Sequence, residues 1–286
     1  MNRITISTSG PVSALQAGAG QRLHFAHATG MNAQLYAAVL APLADRFAIT
    51  ASDARGHGFT GLDRDPSHLT SWDDFAADLG RLLDVIEAGS RWILAGHSMG
   101  ATVSLLAAAM RPDRIAGLVL LDPPMLPFDV ARQVRAGAIL PDHAMVEQAA
   151  RRRGMFPSRA EARAAYHGRG VFRSWSDADL DAYLAGGLRE TDEGVELACA
   201  PAFEAATFRA VSPGVEPALA AVRCPFILLA GDQGSTVQDA ELAGFAAHPQ
   251  CISAERIPGT SHFLPLERPD LVRAAIARIT AFSEEP

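Results

Sequence analysis

The sequence predicts an α/β fold: a parallel sheet covered by helices on both faces and interrupted by an inserted helical segment. Three observations lead there. Strand-like and helix-like stretches alternate from about residue 22 to 122. The strand-like stretches, such as "RWILAG" (91–96) and "IAGLVLLD" (115–122), are apolar at consecutive rather than alternate positions, as strands buried on both faces are. The alternation stops over residues 123–218 and resumes from 224 with strand, helix, strand and a last helix.

In order, "RITIST" (3–8) and "VSALQAG" (12–18) read as a strand pair joined by Ser9-Gly10-Pro11. "RLHFAHATG" (22–30) is a short extended run that ends in a loop, and "FAITASDARGHG" (47–58) repeats that plan. Residues 71–89 read as an amphipathic helix. Ser71 with Asp74 makes a capping-box pattern, Phe75, Leu79, Leu82, Leu83 and Ile86 recur at helical spacing, and Gly89 ends it. The strand 91–96 runs into an alanine-rich helix from Ser98 to Arg111, which Pro112 stops before the strand 115–122. Residues 123–218 are polar, rich in arginine and alanine, helical in pattern and without a convincing strand. Ser158 with Glu161 and Ser176 with Asp179 signal helix starts, and Gly186-Gly187 signals a stop. Then follow the strand 224–232, the helix 237–248, the strand 251–259 and a closing helix 268–285. The expected organisation is one core domain, 1–122 with 219–286, carrying a helical subdomain at 123–218.

Bulk composition narrows the function. The 286 residues are 49% hydrophobic and 20% charged, ordinary for a soluble globular chain, and the net charge of −7 argues against a nucleic-acid surface. All 25 basic residues are arginine, so lysine Schiff-base chemistry and a P-loop lysine are excluded. Cys199, Cys224 and Cys251 are far apart and lack metal spacing. The first 18 residues lack the continuous apolar stretch of a signal peptide, and no run approaches the ~18 apolar residues of a membrane span. The expectation is a cytoplasmic protein with a small-molecule substrate, no nucleic-acid or membrane partner, and no cofactor or metal; its oligomeric state stays open.

The most informative stretch is "AGHSMGATVSLLAAAM" (95–110). A strand, then Gly96-His97-Ser98-Met99-Gly100, then a helix is the setting of a nucleophile elbow. The turn is sharp and strains the serine backbone. Glycines two residues before and after avoid clashes where strand and helix approach. The Met99 N–H then lies at a helix N-terminus, where an oxyanion is stabilised. The bland reading is a glycine-rich turn with an incidental serine.

With "HATG" (27–30), "DARGHG" (53–58), "GHSMG" (96–100) and "GTSHFLPLERPD" (259–270) in that order, each at a strand end, the chain resembles the α/β-hydrolase superfamily over nearly everything outside 123–218. The resemblance implies a mostly parallel eight-stranded sheet with a helical cap inserted over the active site. It also implies the chain order serine, acid, histidine. Of nine histidines, His262 lies where the family places its base, after the last strand; imidazole can both take and return a proton near neutrality. His57 and His97 belong to turns and are expected to bond locally, and the other histidines carry no positional argument.

Many members place the acid in a Gly-Asp-x-Asp pattern after the strand that follows the cap. Here that stretch is "GDQGSTV" (231–237): Asp232 matches the first acid, but Gly234 holds the usual catalytic slot. Several capped members instead place the acid 24 residues after the nucleophile, and Asp122 stands 24 residues after Ser98. Asp122 is favoured, and Asp232, read as a turn cap, is the alternative. The family's second oxyanion donor follows a His-Gly pair. The match here is His27-Ala28-Thr29-Gly30, so Thr29 is the residue-by-residue counterpart, with Ala28 the alternative. Asp53 and Arg55 match a motif that is chiefly structural. "RRRG" (151–154) reads as a solvated helix face before an anion site. Met125, Leu126, Phe128, Trp175, Phe203 and Phe208 are expected mostly as cap core, with Phe263 beside the base.

The expectation is a serine hydrolase of a small or medium, partly apolar carboxylic ester or lactone. Ser98, His262 and Asp122 would be its triad, and Met99 and Thr29 its oxyanion donors. The same set supports carbon–carbon cleavage of a diketone-type ring-cleavage product. The rival of another class is a ligand-binding homologue without catalysis. Aspartate nucleophile chemistry of the epoxide-hydrolase or dehalogenase kind is disfavoured by Ser98.

Overall fold

In the computed structural model, which describes residues 1–283, eight strands form one sheet. They are β1 (Asn2–Ser7), β2 (Pro11–Ala17), β3 (Gln21–Ala26), β4 (Phe47–Ser52), β5 (Trp92–His97) and β6 (Ile115–Leu121). Three short strands, β7 (Met155–Phe156), β8 (Leu188–Thr191) and β9 (Gly194–Leu197), lie outside it, and β10 (Phe226–Gln233) and β11 (Cys251–Ser261) complete it. The spatial order is β1-β2-β4-β3-β5-β6-β10-β11. β2 pairs antiparallel with β1 and β4, and every other pairing in the sheet is parallel. This is the mostly parallel, eight-stranded sheet expected of the α/β-hydrolase fold.

The consecutive apolar residues of β5 and β6 divide by pleat. Ile93, Ala95, Val119 and Leu121 face one buried cluster with Val272, Ile276 and Ile279 of the helix Pro269–Ser283. Leu94, Leu118 and Leu120 face the other, with Phe75 and Leu79 of the helix Asp73–Ile86, Leu105 of the helix Met99–Met110, and Phe245. Burial on both faces is why these strands show no polar alternation. The closing helix was expected over 268–285; residues 284 and 285 lie outside the described residues. At the start of the helix Asp73–Ile86, the Asp74 carboxylate accepts from the Thr70 and Ser71 N–H groups (3.1 and 3.3 Å), and Ser71 Oγ accepts from Asp73 N–H (3.2 Å). No helix among the described residues is long and apolar enough to cross a membrane.

The region between β6 and β10 carries the expected helices. Ser158 and Ser176 cap theirs through the N–H groups of Glu161 and Asp179, and the helix Asp177–Gly187 stops at the predicted glycines. It is not purely helical, however: β7, β9 and β8 form a small antiparallel sheet. Strands of two to four residues are too short to display a period, so the pattern concealed them. The insertion also shares its interior with the core. Phe156, Phe172 and Tyr183 join the cluster that holds Leu35 and Tyr36. Phe203 is not cap core as expected. It packs edge-on against His57 at 6.0 Å, over the turn after β4. Arg189 donates to the carbonyls of Gly58 (2.7 and 3.0 Å) and Thr60 (2.9 Å), and Asn32 donates to that of Tyr183 (2.9 Å).

Candidate functional site

Parallel strands in the order β5-β6-β10-β11 bring their carboxyl ends side by side, the usual place for a site in such sheets. Ser98 follows β5, Asp122 follows β6, and His262 follows β11. These two, Ser98 (φ +54°) and Asp122 (φ +47°), are the only non-glycine residues at positive φ among the described residues. Such backbone outliers persist where the surrounding structure over-determines them, and they cluster at functional sites. Here Ser98 N–H is bound to Leu121 O (2.9 Å) and Asp122 N–H to Leu229 O (2.8 Å).

The two glycines flanking Ser98 are explained by contact. A Cβ on Gly96 would lie 2.4 Å from the Gly100 carbonyl, and one on Gly100 would lie 2.1 Å from the Ala26 oxygen at the end of β3. Strand, helix and neighbouring strand approach backbone to backbone, with no room for a methyl group.

His262 Nε2 lies 3.0 Å from Ser98 Oγ, and its Nδ1 lies 2.5 Å from Asp122 Oδ2. Asp122 is fully buried, Ser98 nearly so, and His262 is about one-fifth exposed. The carboxylate takes further bonds from Gly231 N–H (3.1 Å), Thr236 N–H (3.2 Å) and the Ser235 hydroxyl. Burial alone would raise the Asp122 pKa. The His262 bond and charge, Ser235 and Gly231 outweigh it and hold the carboxyl below its usual range. With Asp122 accepting at Nδ1, the neutral ring presents a lone pair at Nε2 towards Ser98, the arrangement of a general base on a hydroxyl.

These three donors, Gly231 near the end of β10 and Ser235 and Thr236 in the loop after it, were missed by sequence reasoning. Their signal was the hydroxyl pair Ser235-Thr236 beside Gly234: a loop without the usual acid still lines a displaced one. Asp232 is exposed, and its carboxylate takes the Gly259 N–H at 3.2 Å, a turn contact away from His262.

Met99 opens its helix, so its N–H belongs to the orphan donors of a first turn. In the 27–30 loop, Met31 N–H closes a turn onto Ala28 O (3.1 Å) with Gly30 at φ +71°, as a type II turn requires. Ala28 N–H faces Tyr36 Oη (3.4 Å), and Gly30 N–H donates to His57 Nε2 (3.0 Å). Thr29 N–H makes no hydrogen bond among the described residues. His57 donates in turn from Nδ1 to Arg55 O (2.8 Å), and His27 Nε2 accepts from Ala54 N–H (3.0 Å), so the two turns are cross-tied. Asp53 accepts from Arg3, Ala33 N–H and Phe59 N–H, and Arg55 pairs with Asp78 (2.5 Å). His97 does not bond locally as expected: its partners are Tyr36 Oη and the His262 carbonyl, both at 2.7 Å.

The insertion adds an aromatic wall. Trp175 meets Phe263 edge-on at 5.4 Å, and Phe263 lies 5.5 Å from the His262 ring. Met125 is half-buried against the core. Within "RRRG", Arg151 and Arg153 are solvated as expected, but Arg152 turns inward. It pairs with buried Glu204 (2.5 Å) and donates to Tyr166 and Tyr183 hydroxyls (3.2 and 3.0 Å). That guanidinium is neutralised within the chain.

Comparisons with known proteins bear on the family and the fold. A family model, the Alpha/beta hydrolase family, matches residues 25–275. A 2-(acetamidomethylene)succinate hydrolase of Mesorhizobium japonicum is 27% identical over 266 residues, covering 91% of this chain and 87% of the relative. A pimeloyl-[acyl-carrier protein] methyl ester esterase of Methylococcus capsulatus is 32% identical over 104 residues, 36% of this chain and 37% of the relative. Among solved structures, E-2-(acetamidomethylene)succinate hydrolase superposes with a TM-score of 0.77 at 24% identity, covering 98% of this chain and all of the other. An esterase of Thermogutta terrifontis superposes at 0.71 and 21%, with both chains fully covered. At these identities the superpositions speak for the fold.

Proposed function

This chain belongs to the alpha/beta hydrolase family, and on that footing we propose that it is a serine hydrolase of a small or medium, partly apolar carboxylic ester or lactone. The observation that carries the proposal is the line Ser98 Oγ–His262 Nε2 at 3.0 Å and His262 Nδ1–Asp122 at 2.5 Å.

Ser98 Oγ attacks the substrate carbonyl carbon as its proton passes to His262 Nε2. Asp122 keeps the ring in the correct tautomer and stabilises the imidazolium. The N–H groups of Met99 and Thr29 receive the oxyanion. The C–O bond breaks, the leaving alkoxide takes the proton from His262, and the acyl group stays on Ser98. Water, deprotonated by His262, then cleaves that ester, releases the acid and restores Ser98. The aromatic wall of Trp175 and Phe263, and an inward arginine already paired with Glu204, support an uncharged, partly apolar group beside the base.

The test is initial rates on p-nitrophenyl esters of increasing acyl length, with wild type and S98A side by side. Loss of a triad nucleophile removes roughly a million-fold of kcat in the best-studied case; S98A keeping more than about a tenth of wild-type turnover would refute the assignment.

One observation favours a second reading. The relative aligned over 91% of the chain is named for a substrate that bears an acetamido group. Esters left untouched by a wild-type enzyme that still reacts with a fluorophosphonate would move the reading to an amide or to the carbon–carbon bond. Absence of fluorophosphonate labelling would point to the non-catalytic homologue.

A further inference from the structure

Two buried polar side chains near the site take no part in the mechanism above. His97 precedes the nucleophile, Tyr36 lies in the helical turn after β3, and both are wholly excluded from solvent. His97 Nε2 is 2.7 Å from the carbonyl oxygen of His262, and His97 Nδ1 is 2.7 Å from Tyr36 Oη. Tyr36 Oη in turn faces the N–H of Ala28 at 3.4 Å.

The chemistry of the groups assigns every proton. A carbonyl oxygen can only accept, so His97 carries its proton on Nε2. The neutral ring then has a lone pair at Nδ1, and the Tyr36 hydroxyl donates to it. The hydroxyl's own lone pair is left for Ala28 N–H. His97 stays neutral because burial, and then the neighbouring His262, lower its pKa to about 3. The result is one directed chain: Ala28 N–H to Tyr36, Tyr36 to His97, His97 to the His262 backbone. It links four segments: the loop offering Thr29, the helical turn of Tyr36, the strand end preceding Ser98, and the loop carrying the base.

We propose that Tyr36 and His97 are positioning residues of the reaction, and that this buried chain sets the oxyanion loop and the base loop in one register about the nucleophile. The proposal rests on the serine-hydrolase reading. Neither residue touches the reacting atoms. Tyr36 occupies Ala28 N–H and leaves the adjacent Thr29 N–H to the oxyanion. His97 holds the backbone of His262, whose side chain is hydrogen-bonded to Asp122 and Ser98. The His97 and His262 rings lie 4.9 Å apart, so a neutral His97 also spares the imidazolium a like charge. A displacement of about 1 Å at a catalytic group costs on the order of a hundredfold in rate, the scale at which such a chain matters.

The test compares wild type with Y36F, H97Q and H97L in three readouts: steady-state ester hydrolysis, the second-order rate of fluorophosphonate labelling, and 15N NMR of the histidine rings. Y36F keeps the ring packing on Phe25 and removes only the hydroxyl. It is expected to lower kcat and the labelling rate by about tenfold or more, with KM within about threefold, the signature of lost positioning. The nitrogen shifts are expected to place the wild-type proton of His97 on Nε2. H97Q, which keeps an N–H for the His262 carbonyl, is expected to retain about ten times the activity of H97L, a rescue that mere filling of the core would not produce. Wild-type kcat in Y36F, or a proton on His97 Nδ1, overturns the proposal. Labelled wild type with an undisturbed Y36F overturns positioning alone; wild type that never labels overturns the hydrolase reading and this one with it.

Discussion

Replacing Asp122 with asparagine is the sharpest perturbation of the site, because four donors converge on that carboxylate. Oδ1 faces Gly231 N–H and the Ser235 hydroxyl, and Oδ2 faces His262 Nδ1 and Thr236 N–H. An amide has one acceptor oxygen, and either orientation sets its NH2 against a backbone N–H. With NH2 towards Gly231, the Ser235 hydroxyl can turn to accept. The histidine then keeps its tautomer but loses the charge behind the imidazolium. With NH2 towards His262, the ring must release its Nδ1 proton, and Nε2–H then faces Ser98 and cannot take a proton. The unpaired buried N–H costs about 1–3 kcal/mol in either case. The catalytic loss for the wrong tautomer is ~10⁴ in kcat in the well-measured serine protease case. We therefore expect D122N to lose ~10³–10⁴ in kcat, or ~4–5.5 kcal/mol of transition-state stabilisation. The assay is ester hydrolysis by D122N and D232N, the latter within about twofold of wild type because Asp232 is exposed and takes the Gly259 N–H rather than His262. D122N above a tenth of wild-type turnover, or a comparable collapse of D232N, refutes the assignment of the acid.

Stability should fall on mild acidification. His24, His57 and His97 are buried with pKa values lowered from 6.5 to about 3, chiefly by burial. Between those values the unfolded chain binds protons that the native one does not. Their contribution is therefore present above 6.5, is lost as pH falls, and stops changing below 3. Each adds at most about 1.4 kcal/mol per pH unit, so urea unfolding at about pH 7 and about pH 5.5 should differ clearly, and less in His24→Gln; equal midpoints contradict it. R152M strands the buried Glu204 carboxylate and should cost about 3–5 kcal/mol, with part recovered in R152M/E204Q; additive losses in urea unfolding would disprove the pairing. G100A forces the β3 end away from the helix and should lose about a hundredfold in kcat and about 1–3 kcal/mol of stability; wild-type kcat would show the contact to be slack.

Local rules made much of this protein readable. Consecutive apolar residues in 91–96 and 115–122 imply burial on both faces, so the parallel sheet followed before any contact was known. Ser98 was legible because the demands on a sharp strand–turn–helix junction fall on five adjacent residues, and Gly96 and Gly100 meet them. His262 and Asp122 needed the resemblance as well as the residues, since 140 positions separate them and no local pattern joins them. The rest depended on which strands lie side by side. The order β5-β6-β10-β11 brings the Ser235-Thr236 loop onto Asp122 and the His262 carbonyl onto His97. Arg152 looked like one of three solvated cations until the insertion folded it onto Glu204. The strands β7 to β9 were invisible because two to four residues cannot display a period. Backbone geometry and burial are written along the chain over a few residues at a time. Hydrogen bonds between distant side chains follow from strand order and packing, and these exist only once the whole core has assembled.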